Sequence, residues 1–111
     1  GALEGDGSRL FRSVYKTYRS VFPSVLVHPV LEEGQGGLDA YRNLIVVAGD
    51  SAPASRSVLA DRWEELRRET PSVPDLAGAI AERRDQPIPT DDVPLLTDDY
   101  APTDALLFLF Q

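Results

Sequence analysis

The sequence predicts an α/β unit in which helices flank an antiparallel pair of strands. Residues 8–22 carry apolar side chains at the three-and-four spacing of an amphipathic helix. Residues 24–31 and 44–48 are short runs of branched aliphatics bounded by glycine and proline, which is strand chemistry. With 111 residues, 42% of them apolar and 26% charged, the chain has the composition of one small folded unit, and it is read as a single partial domain over 1–111.

In the first helix Phe11, Val14, Tyr15, Tyr18, Val21 and Phe22 form the apolar stripe. Phe11, Val14, Tyr15 and Tyr18 are therefore expected to be buried. Asp6 or Ser8 supplies the cap and Pro23 the stop. Arg9, Arg12, Lys16 and Arg19 lie largely off the stripe and read as a solvated basic face.

Val25, Leu26, Val27 and Val30 mark the first strand, and Gly34, Gly36 and Gly37 the break after it. His28 reads as a packed or edge histidine rather than a base. The unbroken run Leu44, Ile45, Val46, Val47 and Ala48 suits a strand covered on both faces. A connection of about ten residues makes the pair antiparallel without a tight hairpin turn.

Asp50 and Ser51 begin a turn or helix start, after which Val58, Leu59, Trp63 and Leu66 mark one face of a helix over about 54–69, with Trp63 its core anchor. Pro71 and Pro74 separate it from a shorter helix capped by Asp75, with Leu76, Ala77, Ile80 and Ala81 on the buried side. Residues 86–94 contain Pro87, Pro89 and Pro94 and form a loop, because proline cannot donate to a ladder.

Eighteen acidic against eleven basic side chains give a formal charge of −7, which disfavours nucleic acid and favours cationic ligands. The chain has no cysteine and His28 is its single histidine, so disulfides and a zinc cluster are excluded. No apolar run reaches membrane-spanning length and no signal peptide opens the chain, so no membrane span and a cytoplasmic location are expected. Phosphate-binding glycine loops, nucleophile elbows and paired-histidine motifs are absent from the sequence.

The densest polar cluster is Thr97, Asp98, Asp99 and Tyr100, with Asp104 close behind and Asp91 and Asp92 just ahead. Grouped carboxylates can hold the ammonium groups of a polyamine through charge-assisted hydrogen bonds. Alternatively, Thr97 and Asp98 cap a turn and the remainder are solvated, which the pattern alone favours.

Three stretches resemble one family: FRSVYKTYRSVFP over 11–23, RNLIVVA over 42–48 and LLTDDYAPTD over 95–104. They are similar to the carboxy-terminal half of spermidine synthase-like aminopropyltransferases, particularly bacterial forms in which the domain is fused to membrane segments. The resemblance implies a portion of a class I methyltransferase-like, Rossmann-like sheet with an antiparallel last strand and flanking helices. Residues 8–22 would be the helix before the sixth strand, 25–31 that strand and 44–48 the seventh. It also implies aminopropyl transfer from decarboxylated S-adenosylmethionine to a diamine, with Thr97, Asp98, Asp99, Tyr100 and Asp104 as substrate-binding residues.

The family's glycine-rich nucleoside loop, ribose-binding acid and catalytic aspartate precede the matched stretches and have no counterpart here. No catalytic residue or bound cofactor is therefore expected of this segment alone. The expected partners are a missing amino-terminal half, a second copy, or both, because two strands would leave a sheet face and a long edge uncovered. An S-adenosylmethionine-dependent methyltransferase-like domain and a non-catalytic interaction or dimerisation module remain the alternatives.

Overall fold

Helix α1, Arg9–Val21, follows a 3-10 turn over Asp6–Ser8 and stops at Phe22, whose extended backbone (φ −108°, ψ 136°) is the conformation that Pro23 imposes on its predecessor. The computed structural model describes residues 1–30, 34, 36–102 and 106. After α1 come β1 (Ser24–Pro29), β2 (Leu44–Gly49), α2 (Arg56–Glu69) and α3 (Ala77–Ala81). The protein is thus a small α/β unit in which β1 and β2 pair antiparallel, with Val27 opposite Val46. Gly34 and Gly36, at φ 82° and 77°, take left-handed conformations in the connection, where a side chain would be strained. Leu31, the end of the expected first strand, lies outside the described residues.

The core sits where α1 crosses the sheet. Phe11 and Tyr15 pack with Leu3, Val27 and Ile88, and Val25, Leu44 and Val46 close around them. Val27 is the centre of this cluster at 1% exposure. On the helix the apolar stripe is shorter than expected: Val14 is half-buried and Tyr18 is 41% exposed. A two-stranded sheet is too narrow to cover the last turns of α1, so Tyr18 instead meets Phe22 edge-on, with ring centroids 6.2 Å apart.

β2 is covered on one face, as expected of two strands alone. Its side chains alternate, with Ile45 and Val47 exposed while Leu44 and Val46 turn toward the core. α1 covers one sheet face only, so the period-two geometry of the strand leaves every second residue uncovered. The inner strand is β1, because the chain returns to its other edge at Arg84, whose N–H donates to the Val27 carbonyl at 2.8 Å. No strand among the described residues pairs with the other edge of β2.

α2 begins at Arg56, past Asp50 and Ser51, where the Ser55 hydroxyl accepts the Val58 N–H at 3.3 Å. Asp75 caps the short helix by accepting the Ala77 N–H at 3.0 Å. Trp63 is buried in the groove between α2 and α3, beside Ala60, Ala77 and Ile80. The remaining apolar face differs from the expectation: Val58, Leu66, Leu76, Ala77 and Ala81 are exposed and Ile80 is half-buried, so α3 has no buried residue, because it is only five residues long and covers α2 around Trp63 alone. His28 lies half-buried on β1 with Nδ1 3.4 Å from the Ala79 carbonyl, the packed rather than the edge alternative. No helix among the described residues is long and apolar enough to cross a membrane.

Candidate functional site: an acidic turn on a clamped strap

A proline-rich segment cannot satisfy its own backbone, so its carbonyls need donors from elsewhere. In this chain the donors come from the polar face of α1. Lys16 Nζ reaches the carbonyls of Thr90 and Val93 at 3.1 and 2.8 Å. The Ser13 hydroxyl donates to the Pro94 carbonyl at 2.8 Å, and Thr17 Oγ1 accepts the Leu96 N–H at 2.9 Å. Arg12 donates through Nη1 to the Pro89 carbonyl at 3.1 Å and through Nη2 to Asp92 Oδ2 at 2.9 Å, and its Nη1 also meets Asp92 Oδ1. Arg9 adds a contact from Nη2 to the Asp92 carbonyl at 3.1 Å.

These contacts convert residues 89–96 into a strap laid along α1. Within it Val93 is buried at 3% exposure, and just before it Ile88 enters the core. The basic face expected to be solvated is therefore a clamp: Arg12 is buried, and Lys16 is half-buried. Arg19 alone follows the solvated reading, exposed and resting its guanidinium 5.8 Å from the Tyr15 ring centre. A legible signal existed in the interleaved pairs Arg12 with Lys16 and Ser13 with Thr17, each four apart and so on one face, opposite a proline-rich segment in need of donors.

Asp92 is the charged end of this clamp. The Arg12 hydrogen bond, with lesser contributions from its own backbone and the charges of Arg12 and Arg9, lowers its carboxyl from 3.8 to about 2. A depressed folded-state value means that the ionised form favours the fold above 3.8, and that this contribution fades as pH falls through about 2. Acid titration of wild type and Asp92→Asn should show the wild type losing its advantage across that window, while curves that stay parallel would argue against it.

Beyond its last anchor, Leu96, the strap ends in the acidic turn. The Thr97 N–H donates to the Tyr100 carbonyl at 2.8 Å, and the Tyr100 N–H returns to the Thr97 carbonyl and hydroxyl at 3.2 and 3.0 Å. This reciprocal bonding places Asp98 and Asp99 at the apex. Both are exposed, and neither is ion-paired with a cation among the described residues. Tyr100 is also exposed, at 57%. The structure thus brings Thr97, Asp98, Asp99 and Tyr100 together, whereas Asp104 lies outside the described residues.

The turn serves both sequence readings: Thr97 closes it in the local structural role, and the two carboxylates project from it uncompensated. They can attract a cation, but an open turn cannot exclude water from it. Among the described residues no group of three or more His, Cys, Asp or Glu side chains is arranged to hold a metal ion. No family model, curated protein or solved structure matches this chain.

Proposed function

We propose that the chain is the carboxy-terminal part of a spermidine synthase-like transferase domain, in which the 97–100 turn forms one wall of a diamine site. The observation that carries this reading is the pair of uncompensated carboxylates, Asp98 and Asp99, at the apex of a turn fixed by α1. An ammonium group at such an apex gains charge-assisted hydrogen bonds. The helix followed by an antiparallel strand pair, with one face covered and the outer edge of β2 open, suits the end of a larger Rossmann-like sheet.

In the complete domain the free nitrogen of the diamine would attack the carbon beside the sulfonium of decarboxylated S-adenosylmethionine. The carbon–sulfur bond breaks, sulfur leaves as a neutral thioether, and the nitrogen gives its proton to a base. Asp98 and Asp99 would hold the diamine's distal, protonated end; the base and the nucleoside-binding residues belong to the family's preceding segment. A methyltransferase-like parent would use the same sheet without the diamine contacts. A second reading, an interaction or dimerisation module, draws on the exposed Ile45 and Val47.

Calorimetric titration with putrescine tests the site in this chain. Weak, salt-sensitive binding is expected, because exposed charges are screened over about 10 Å at ~0.1 M salt. Asp98→Asn/Asp99→Asn should remove it. Binding that survives the double substitution would take the turn out of the site, and micromolar binding of the nucleoside by this chain alone would overturn the partial-domain reading.

A further inference from the structure

Gly1 lies on the outer edge of β2. Its amino group donates to the Arg42 carbonyl and the Arg42 N–H donates to the Gly1 carbonyl, both at 2.8 Å. Two residues that exchange both bonds form the hydrogen-bonded pair of an antiparallel ladder. On the opposite side the Asn43 carbonyl accepts the Val30 N–H at 2.9 Å, so residues 43, 45, 47 and 49 turn their backbone groups toward β1 and the residues between them turn away. Pro29, which has no N–H, fits this alternation by facing Leu44. Leu44, Val46 and Ala48 therefore direct their N–H and C=O groups to the same edge as Arg42, and among the described residues no backbone hydrogen bond reaches them there. Beside that edge a groove of about 370 Å3 lies between α1 and β2, lined by Gly1, Leu10, Phe11, Val14, Leu44 and Val46. A Cβ on Gly1 would meet Leu44 Cδ1 and Phe11 Cβ, each at 3.4 Å, so the backbone at residue 1 runs against the apolar face of the groove.

We propose that this edge is completed by an extended segment running antiparallel to β2 and joined to Gly1, namely the polypeptide that precedes residue 1 in the longer domain. That occupant rests on the partial domain proposed above; its place, direction and register come from the Gly1–Arg42 pair. Continuing that ladder sets the second, fourth and sixth residues before Gly1 opposite Leu44, Val46 and Ala48. Their side chains stand on the α1 face, where the groove takes apolar groups, and the residues between them share the other face with Ile45 and Val47. β2 then becomes an interior strand, as suits its unbroken apolar run, and the half-buried Leu10 and Val14 of α1 gain cover that a two-stranded sheet lacks. A second copy fits this edge less well, because each chain carries a formal charge of −7 and the copy would compete with Gly1 for Arg42.

The test extends the full chain at Gly1 with alternating valine and lysine, valine standing at the second, fourth and sixth places before Gly1. The control extension has the same composition in the opposite alternation. Amide exchange is read at Leu44, Val46 and Ala48 in both proteins and in the unextended chain. Without an extension those three should exchange faster than Ile45 and Val47, whose N–H groups face β1. The first extension should slow them about tenfold or more and raise the melting temperature. The control should do neither, because it turns lysines into the apolar groove. Equal protection by both alternations, or by neither, would overturn the proposal. Slow exchange at the three amides in the unextended chain would overturn it too: protection that grows with protein concentration identifies a second copy on the edge, and protection that does not identifies another part of this chain. Putrescine binding, measured on the same proteins, reports on the transferase reading alone. Its absence alongside slowed amides leaves the edge assigned, whereas unprotected amides alongside putrescine binding strike the edge and spare the diamine site.

Discussion

Val27→Asp is expected to abolish cooperative folding, seen as loss of the thermal transition and of strand signal in circular dichroism. Val27 is 1% exposed, packs with Phe11, Tyr15 and Ile88, and pairs through its backbone with both Val46 and Arg84. A carboxylate there would be desolvated with no partner, at a cost of several kcal/mol, on the order of the whole stability of a small domain. Tyr18→Asp provides the contrast. At 41% exposure Tyr18 lies beyond the core, and its replacement should leave the protein folded with a small loss of stability from the lost ring contact. Equal damage from both substitutions would mean that the core extends along all of α1.

Arg12→Met should be the most damaging change on the polar face of α1. Arg12 is buried at 8% exposure and donates to Ser8, Pro89 and Asp92, so it ties the helix both to its own start and to the strap. Methionine retains the aliphatic bulk and removes the donors, which isolates the loss of the bonds; hydrogen bonds to a charged group are worth about 1.5–3 kcal/mol. Denaturant unfolding should show a loss of about 2 kcal/mol or more. Because the strap carries the acidic turn, the variant should also exchange its Leu96 amide faster, as the Thr17 hydroxyl loses a fixed partner.

Local chemistry made most of the elements legible, and packing decided the rest. α1 could be bounded from its periodicity and Pro23, and the antiparallel pair from two branched runs and a glycine-rich connection, because these signals act over neighbouring residues. The Asp75 cap and the burial of Trp63 follow in the same way. An uncovered sheet face was expected of two strands alone, but that Ile45 and Val47 are the residues on it was not legible. A continuous apolar run reports what a strand can tolerate, while the number of covering layers depends on the remainder of the fold. The return of the chain to β1 at Arg84 was equally hidden, since a single backbone bridge has no sequence period. For the acidic turn, its composition identified Thr97 as a closing residue and Asp98 and Asp99 as charges, but its position came from contacts some eighty residues apart in sequence, such as Thr17 with Leu96.

The central claim is that the polar face of α1 holds the strap and so presents the acidic turn. A double-mutant cycle between Arg12 and Asp92 tests it most directly, because the two are far apart in sequence and coupled only if the strap lies where the structure puts it. Melting temperatures would be measured for wild type, Arg12→Met, Asp92→Asn and the double variant near neutral pH. The expected result is that Asp92→Asn lowers the melting temperature of the wild type clearly and that of the Arg12→Met protein much less. Equal losses in the two backgrounds would contradict the clamp, and with it the placement of Asp98 and Asp99.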